Sequence, residues 1–574
     1  MNDKKKWIIG IIGAYTLIHV GKYLKGWARR CNLSNKGKLK LEQRNKATYD
    51  LPKIETNIEE LILTLTVYEL SEKIRNRELT SVQIVVTYIK RAVSIGRELN
   101  NSAEECFAQA LEQAAKCDEE TANGNSRGIL HGIPISVKDH YGMKGFTSSC
   151  GLAWKLDYPD TEDAVLVQLL VDQGAIPFVR SNVCQAMIWI ETSNGVYGRA
   201  LNPWDTTRTT GGSSGGEGGL VSSRCSPLGI GSDIGGSIRT PCAFCGVYGF
   251  KVTPKRISIS GIYSSTQNQF EGFECGVKCS YGPIGRCVDD LVLVLRSWFC
   301  ERLFALDPTV VPLNFSENEF KSHKRLKIGY FTHIPGYPVA ECIKNAVLRC
   351  AGSLEDFEVV PYDFFNATEL IHSFLDVYSA DAKAEFEEEL NGERPENYYD
   401  LQLFSLNHPH IASFALSLLT YCNNGRLARF FDQKSEIPST SYLDIYQKAQ
   451  DNCQKLLNDW SSKGFDAVIC PVFGLVAPQH DTTVDVAPCL VYSFIMNLLS
   501  LPTGIVPVGT VKKGEDFYKD DYNDLLTSAC NKVMENSEGL PYAVQVVGLP
   551  YKDEVVLRVM KEVENIFGFY SYGL

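Results

Sequence analysis

The chain lacks the marks of several large protein classes, and each gap narrows its function. It has no excess of positive charge: 57 Lys and Arg against 68 Asp and Glu leave a formal charge of −11. Phosphate backbones are bound through clusters of Lys and Arg, so nucleic acid is excluded as a general partner. The nineteen cysteines follow no regular framework, which suits a reducing compartment rather than a disulfide scaffold. No segment reaches the ~20 apolar residues that span a bilayer straight, and no internal repeat stands out. Histidine is scarce, at nine in 574 residues, and none pairs recognisably with a serine motif. The glycine-rich segment 211–219 holds no Lys followed by Ser or Thr, which rules out a Walker-type phosphate loop.

What is present begins at the N-terminus. Lys4, Lys5 and Lys6 precede an apolar segment, Trp7 to Gly21, interrupted only by Thr16 and His19, and Lys22, Lys25, Arg29 and Arg30 follow it. Snorkelling lysines, with Tyr23, Leu24 and Trp27, extend that segment toward membrane length. A cleaved signal peptide is the rival reading, but no small-x-small cleavage site follows. Residues 1–30 are therefore expected to form a membrane anchor. The heavier basic cluster on its C-terminal side places the body on the cytoplasmic face. Residues 31–58, polar and basic with Gly37 and Pro52, read as a linker, and the folded body is expected over 59–574.

Within the body, helical and strand patterns alternate. Thr80 caps an apolar helical pattern through Arg91, with Val82, Val85, Val86 and Ile89 at helical spacing. Further helices are expected over 104–120, 164–173 and 339–351. Short buried strands are expected over 128–137, 175–180, 326–331 and 467–471. This alternation predicts an α/β fold, a mixed or largely parallel sheet wrapped by helices. From Ile411, the residues Phe414, Ala415, Leu418 and Leu419 fall at helical spacing. They read either as a core helix or as a membrane-docking face. Cys242/Cys245 and Cys275/Cys279 have spacings that suit zinc. The apolar and aromatic neighbours Ala243, Phe244, Val247 and Tyr248 point instead to buried structural cysteines.

The chemistry concentrates in one stretch, Gly211 to Arg239. Ser213 and Ser237, each flanked by glycine, stand 24 residues apart. Gly211-Gly212-Ser213-Ser214-Gly215 formally matches the nucleophile elbow of α/β-hydrolases. An elbow follows a buried strand, however, and the residues before this one (Asp205, Thr206, Thr207, Arg208, Thr209) are polar. Upstream, Lys138 and Asp139 end a buried strand, the kind of edge where open α/β sheets collect ligands. A lysine in a dry pocket loses its solvation advantage as a cation, and the neutral amine becomes a usable base.

At these residues the sequence resembles the amidase signature family. That family joins a Gly-Gly-Ser-Ser-Gly-Gly segment to an Asp-Ile-Gly-Gly-Ser-Ile-Arg segment, and both stand here uninterrupted at 211–216 and 233–239. Ser136-Val137-Lys138 matches its upstream Ser-x-Lys element. Asn202-Pro203-Trp204, the run from Gly282 to Arg286, and Gly539-Leu540-Pro541 with Gln545 are also similar. The resemblance covers residues from about 60 to the C-terminus. It implies an amidase-signature fold, a large mixed twisted sheet wrapped by many helices, and a Ser-Ser-Lys triad. In that triad Ser237 is the nucleophile, Ser213 a bridging serine with a cis peptide, and Lys138 the base. It further implies an oxyanion hole from the N–H groups of Ile234, Gly235, Gly236 and Ser237, with neither cofactor nor metal. Asp233 and Arg239 read as structural.

Within the family, the N-terminal apolar segment, Gly211 to Gly218, Ser226 to Gly229 and Leu306 to Thr309 are most similar to members acting on lipid amides. This implies hydrolysis of long-chain fatty acyl amides (N-acylethanolamines or primary amides), a substrate drawn from the bilayer, and a homodimer. The segment from Leu401 to Phe431 departs from those members, being shorter and more polar than their membrane cap. Two other functions remain: a glutamine amidase of a transamidation complex, which has no use for an anchor, and a non-catalytic lipid-binding homologue.

Overall fold

The computed structural model describes residues 25–264, 276–400, 403, 426 and 439–569. Eleven strands of the described residues join one mixed sheet: β1 (Ser102–Glu105), β2 (Pro134–Lys138), β3 (Ile176–Ser181), β4 (Gly229–Asp233), β5 (Tyr248–Lys251), β6 (Ser280–Gly285), β7 (Lys327–Tyr330), β8 (Glu358–Pro361), β9 (Ala467–Pro471), β10 (Thr503–Thr510) and β11 (Pro541–Gly548). Their order across the sheet is β1-β3-β2-β4-β6-β5-β10-β11-β9-β7-β8. β2 lies parallel between β3 and β4, and β9, β7 and β8 form a second parallel group. From β4 across to β9 every neighbour is antiparallel. Strands with parallel neighbours are usually covered on both faces and read as apolar runs. All five residues of β2 are buried, and its terminal Lys138 is the one charge among Pro134, Ile135 and Val137.

The helices cover this sheet where apolar spacing places them. Ser81–Arg91 begins at a reciprocal cap between Thr80 and Gln83 and buries Ile84, Val85, Val86, Tyr88 and Ile89. The other expected helices form at Phe107–Ala122, Val165–Asp172 and Glu341–Ser353. Cys242 and Cys245 lie buried in the helix Arg239–Cys245, inside the main apolar core. Cys275 is outside the described residues.

The N-terminal expectations need correction. Residues 25–46, assigned partly to the anchor and partly to the linker, form a helix. Polarity hid this helix in the sequence, because tertiary contacts rather than an apolar stripe hold it. Lys40 pairs with Glu104 at 2.5 Å, Arg44 donates to the Ser102 carbonyl and to Asn100 Oδ1, and Leu33 joins a small apolar cluster with Trp154, Tyr197 and Tyr399. Among the described residues no helix is long and apolar enough to cross a membrane. The segment Trp7 to Gly21, on which the membrane-helix expectation rests, lies outside them. So does the segment from Ile411 to Leu419.

Candidate active site

The parallel trio β3, β2 and β4 ends on one side of the sheet, and the site grows from those ends. β2 delivers Lys138, whose Nζ donates to Ser213 Oγ at 2.7 Å and to Ser232 Oγ at 2.8 Å. The lysine is fully buried and has no carboxylate within ion-pair distance among the described residues. Burial disfavours its charged form and lowers its pKa to about 8, opposed in part by Cys184, Cys279 and Asp233.

Ser213 sits in the turn before the helix Gly215–Ser222, and the Gly212–Ser213 peptide is cis. The preceding Gly211 has φ +83°, and a Cβ there would come within 2.9 Å of the Pro241 nitrogen. Only glycine fits that approach. Ser214 N–H donates to the Ser237 carbonyl at 3.1 Å, which ties the two serine-bearing loops directly. Lys138 is 0%, Ser213 2% and Ser237 8% exposed, so the three form a series from the interior outward with Ser237 nearest solvent.

Ser237 lies between the end of β4 and the helix Arg239–Cys245, in a loop wound around Asp233. Its carboxylate accepts from the N–H groups of Gly236 (2.9 Å), Ile238 (3.0 Å) and Arg239 (3.3 Å) and from the Arg239 guanidinium at 2.8 and 3.0 Å. Burial alone would raise this carboxyl, but Arg239 beside it holds it well below the usual carboxylate range. Arg239 also donates to the Ser493 carbonyl at 2.7 Å and to Gln545 at 3.3 Å, and Asn497 donates to the Asp233 carbonyl at 2.9 Å. Asp233 and Arg239 thus clamp the Ser237 loop to the helix Val491–Leu498 and to β11, a structural role as their sequence context suggested.

One expected oxyanion donor is engaged elsewhere, since the Gly236 N–H points at Asp233. Among the described residues no acceptor faces the N–H groups of Ile234, Gly235 and Ser237. Gly235 faces an apolar wall: a Cβ at this position would stand 3.9 Å from both Phe374 and Phe494. Those two rings stack at 4.1 Å, with Tyr378 stacked on Phe374.

Replacing Arg239 with alanine leaves the buried Asp233 carboxylate without its ion-pair partner, a change that typically costs about 3–5 kcal/mol. The expected result is a lower unfolding midpoint and a disordered Ser237 loop. Thermal unfolding of the variant checks it, and an unchanged midpoint would remove the clamp.

Several residues of this site escaped the sequence. Ser232, the second acceptor of Lys138, stood beside the recognised Asp233, and strand alternation was the only signal for it. His140 is buried next to the site with Nδ1 at 3.1 Å from the Tyr263 carbonyl, which assigns the proton to Nδ1. Burial and then Lys138 hold the ring well below its ordinary pKa. Asn497 and Phe374 come from segments far along the chain, and no local pattern marks them. Among the described residues one group could hold a metal ion, Cys117, Glu120 and His131. Glu120 already pairs with Arg127, and both His131 nitrogens have partners.

The mixed sheet, with glycine- and serine-rich loops at the ends of its parallel strands, has the architecture that the resemblance to the amidase signature family implies. A family model described as Amidase matches residues 83–557, and the chain belongs to the amidase signature family. Fatty-acid amide hydrolase 1 of Sus scrofa is 32% identical over 518 residues, which cover 88% of this chain and 86% of that protein. The acetamidase of Emericella nidulans is 31% identical over 540 residues, 90% and 92% of the two chains. A solved structure of a fatty acid amide hydrolase matches with a TM-score of 0.79 at 23% identity, over 94% of this chain and 96% of that one. This last likeness concerns the fold.

Proposed function

We propose that the protein hydrolyses long-chain fatty acyl amides to a fatty acid and an amine or ammonia. The observation that carries the reading is the 2.7 Å contact between the buried Lys138 amine and Ser213, one residue from the main-chain tie to Ser237. The neutral amine takes the Ser213 hydroxyl proton while Ser213 takes that of Ser237. The Ser237 Oγ then forms a bond to the amide carbon. Negative charge develops on the carbonyl oxygen, which the N–H groups of Ile234, Gly235 and Ser237 receive, and each such donor is typically worth about 2.7–4 kcal/mol. The tetrahedral centre collapses as the proton returns from Lys138 through Ser213 to the departing nitrogen, because an amine anion is a very poor leaving group. Water cleaves the resulting acyl-enzyme by the same route, which frees the fatty acid and restores Ser237.

The apolar wall of Phe374, Phe494 and Tyr378 beside Gly235 supports a hydrocarbon acyl group, as does the similarity to a fatty-acid amide hydrolase. The same reading takes the bilayer as the source of substrate, with Trp7 to Gly21 as the anchor, the body on the cytoplasmic face, and two chains associating as a dimer. The acetamidase relative marks the competing substrate, a short amide. Each buried methylene contributes about 0.8 kcal/mol, so a long-chain N-acylethanolamide should exceed acetamide in kcat/KM by at least about a hundredfold. Kinetics on detergent-solubilised protein decide this, and equal turnover of acetamide would sink the lipid assignment.

A further inference from the structure

The recognised stretch contains one ionisable group that the proposed reaction does not use, Glu217. We propose that Glu217, present as the neutral acid, is a positioning residue that sets the register of the Ser213 turn against Lys138. The proposal rests on the roles given above to Lys138 and Ser213.

Ser136 and Lys138 are two residues apart on β2 and so point to the same face of the sheet. Ser213 and Glu217 are four apart, across the first turn of the helix Gly215–Ser222. Ser136 Oγ contacts Glu217 Oε2 just as Lys138 Nζ contacts Ser213 Oγ. Ser213 precedes the helix and Glu217 lies in its first turn, so the two contacts join one helix start to one strand, and the Glu217 contact bears on where Ser213 falls. The seat leaves no slack: a Cβ on Gly229 of β4 would lie 2.0 Å from Glu217 Oε2.

Hydrogen-bond accounting gives the protonation state. Ser136 has one hydroxyl proton and two acceptors in range, Glu217 Oε2 and the Leu228 carbonyl at 3.3 Å. A carboxylate and a carbonyl compete for that proton. A carboxylic acid removes the conflict by donating to Ser136 Oγ, which then donates to Leu228. The other oxygen, Oε1, is buried with no hydrogen bond of good geometry among the described residues, although the Ser181 hydroxyl lies near enough to favour a charge on the carboxyl. Burial disfavours a full negative charge on Glu217 more than Ser136, Ser181 and Lys138 favour it.

The ionisable groups facing Glu217 from the surrounding elements are Lys138 on β2, Tyr141 just beyond it, and Cys242 on the helix Arg239–Cys245. The tyrosine and the cysteine are neutral at pH 7, being pushed up by burial. Burial likewise pushes the Glu217 carboxyl up, to about 8. A neutral Glu217 has a second consequence: it adds no anion beside Lys138 to draw a proton back onto the amine.

The test compares full-length Glu217→Gln, Glu217→Ala and Ser136→Ala with the wild type. It measures kcat and KM separately, the pH profile of kcat/KM, and the wild-type-minus-Gln infrared difference spectrum. An amide nitrogen donates to Ser136 as the acid does, so Glu217→Gln should keep kcat within about fivefold and leave the acid limb in place. Glu217→Ala and Ser136→Ala should each lose about 10²-fold in kcat with KM within about threefold, the penalty of a misplaced proton relay. The difference spectrum at pH 7 should contain the C=O stretch of a protonated carboxyl. Absence of that band overturns the neutral acid. So does a Gln variant as impaired as the Ala variant with its acid limb moved to lower pH, since that is the response to losing an anion. An Ala variant that keeps full kcat overturns the positioning role. If no amide is turned over by the wild type, the proposed function fails, while the infrared band still decides the state of Glu217.

Discussion

Ser237→Ala should abolish covalent labelling by a fluorophosphonate probe and lower kcat/KM by about 10⁴-fold or more, while the fold and substrate binding persist. The magnitude follows from the role assigned: without the Ser237 hydroxyl no acyl-enzyme forms, and what survives is the binding and polarisation of the amide by the loop. In serine hydrolases that remainder is about 10³–10⁴ over water. The substitution is also structurally mild. Ser237 is the most exposed member of the series at 8%, its carbonyl rather than its side chain holds Ser214, and Asp233 with Arg239 keeps the loop in shape without it. Probe adducts mapped by mass spectrometry, alongside steady-state kinetics, check the outcome. Labelling that survives in Ser237→Ala would falsify its role as nucleophile, and Ser213 would be the next residue to test.

Lys138→Met should cost about 10³–10⁴-fold at pH 7, within the range by which loss of a general base slows acyl transfer, and the pH profile carries the diagnosis. In the folded protein the amine titrates at about 8 rather than 10.5. In the proposed reaction the deprotonated form is the active one. Wild-type kcat/KM should therefore rise with pH, reach about a tenth of its maximum at pH 7, and level off above pH 9. In the methionine variant no amine titrates, so the plateau disappears and the rate should climb with hydroxide concentration, recovering part of the loss at high pH. Methionine fills the space of the lysine stem and adds no buried charge, so the protein should remain folded. A wild-type profile flat between pH 6 and 9 would remove Lys138 as the base.

The helices Ser81–Arg91 and Val165–Asp172 and the strands β2 and β3 were legible because their burial is local and periodic, whereas β1 takes Glu104 and Glu105 from the start of an expected helix. The short, mostly apolar segment before Lys138 reads as a buried strand, and the Thr80–Gln83 pair marks a helix start. The helix over 25–46 was not legible, since its stability comes from Arg44 and Lys40 reaching partners sixty residues away. That the two serine loops meet was implied by the family resemblance and not by glycine spacing.

By itself the sequence determined the residue types of the site: a lysine at a buried strand end and two serines in glycine-rich turns, held in segments whose patterns belong to the amidase signature family. Tertiary structure alone decided which partners those groups have. It gave Lys138 two serine acceptors, with no carboxylate in ion-pair range among the described residues, turned the Gly236 N–H toward Asp233, and brought Phe374 and Asn497 to the loop from distant parts of the chain. The physical reason is that apolar periodicity and backbone conformation are properties of neighbouring residues. Desolvation, and the direction in which an N–H points, belong to the packed interior, where contact no longer follows the order of the chain.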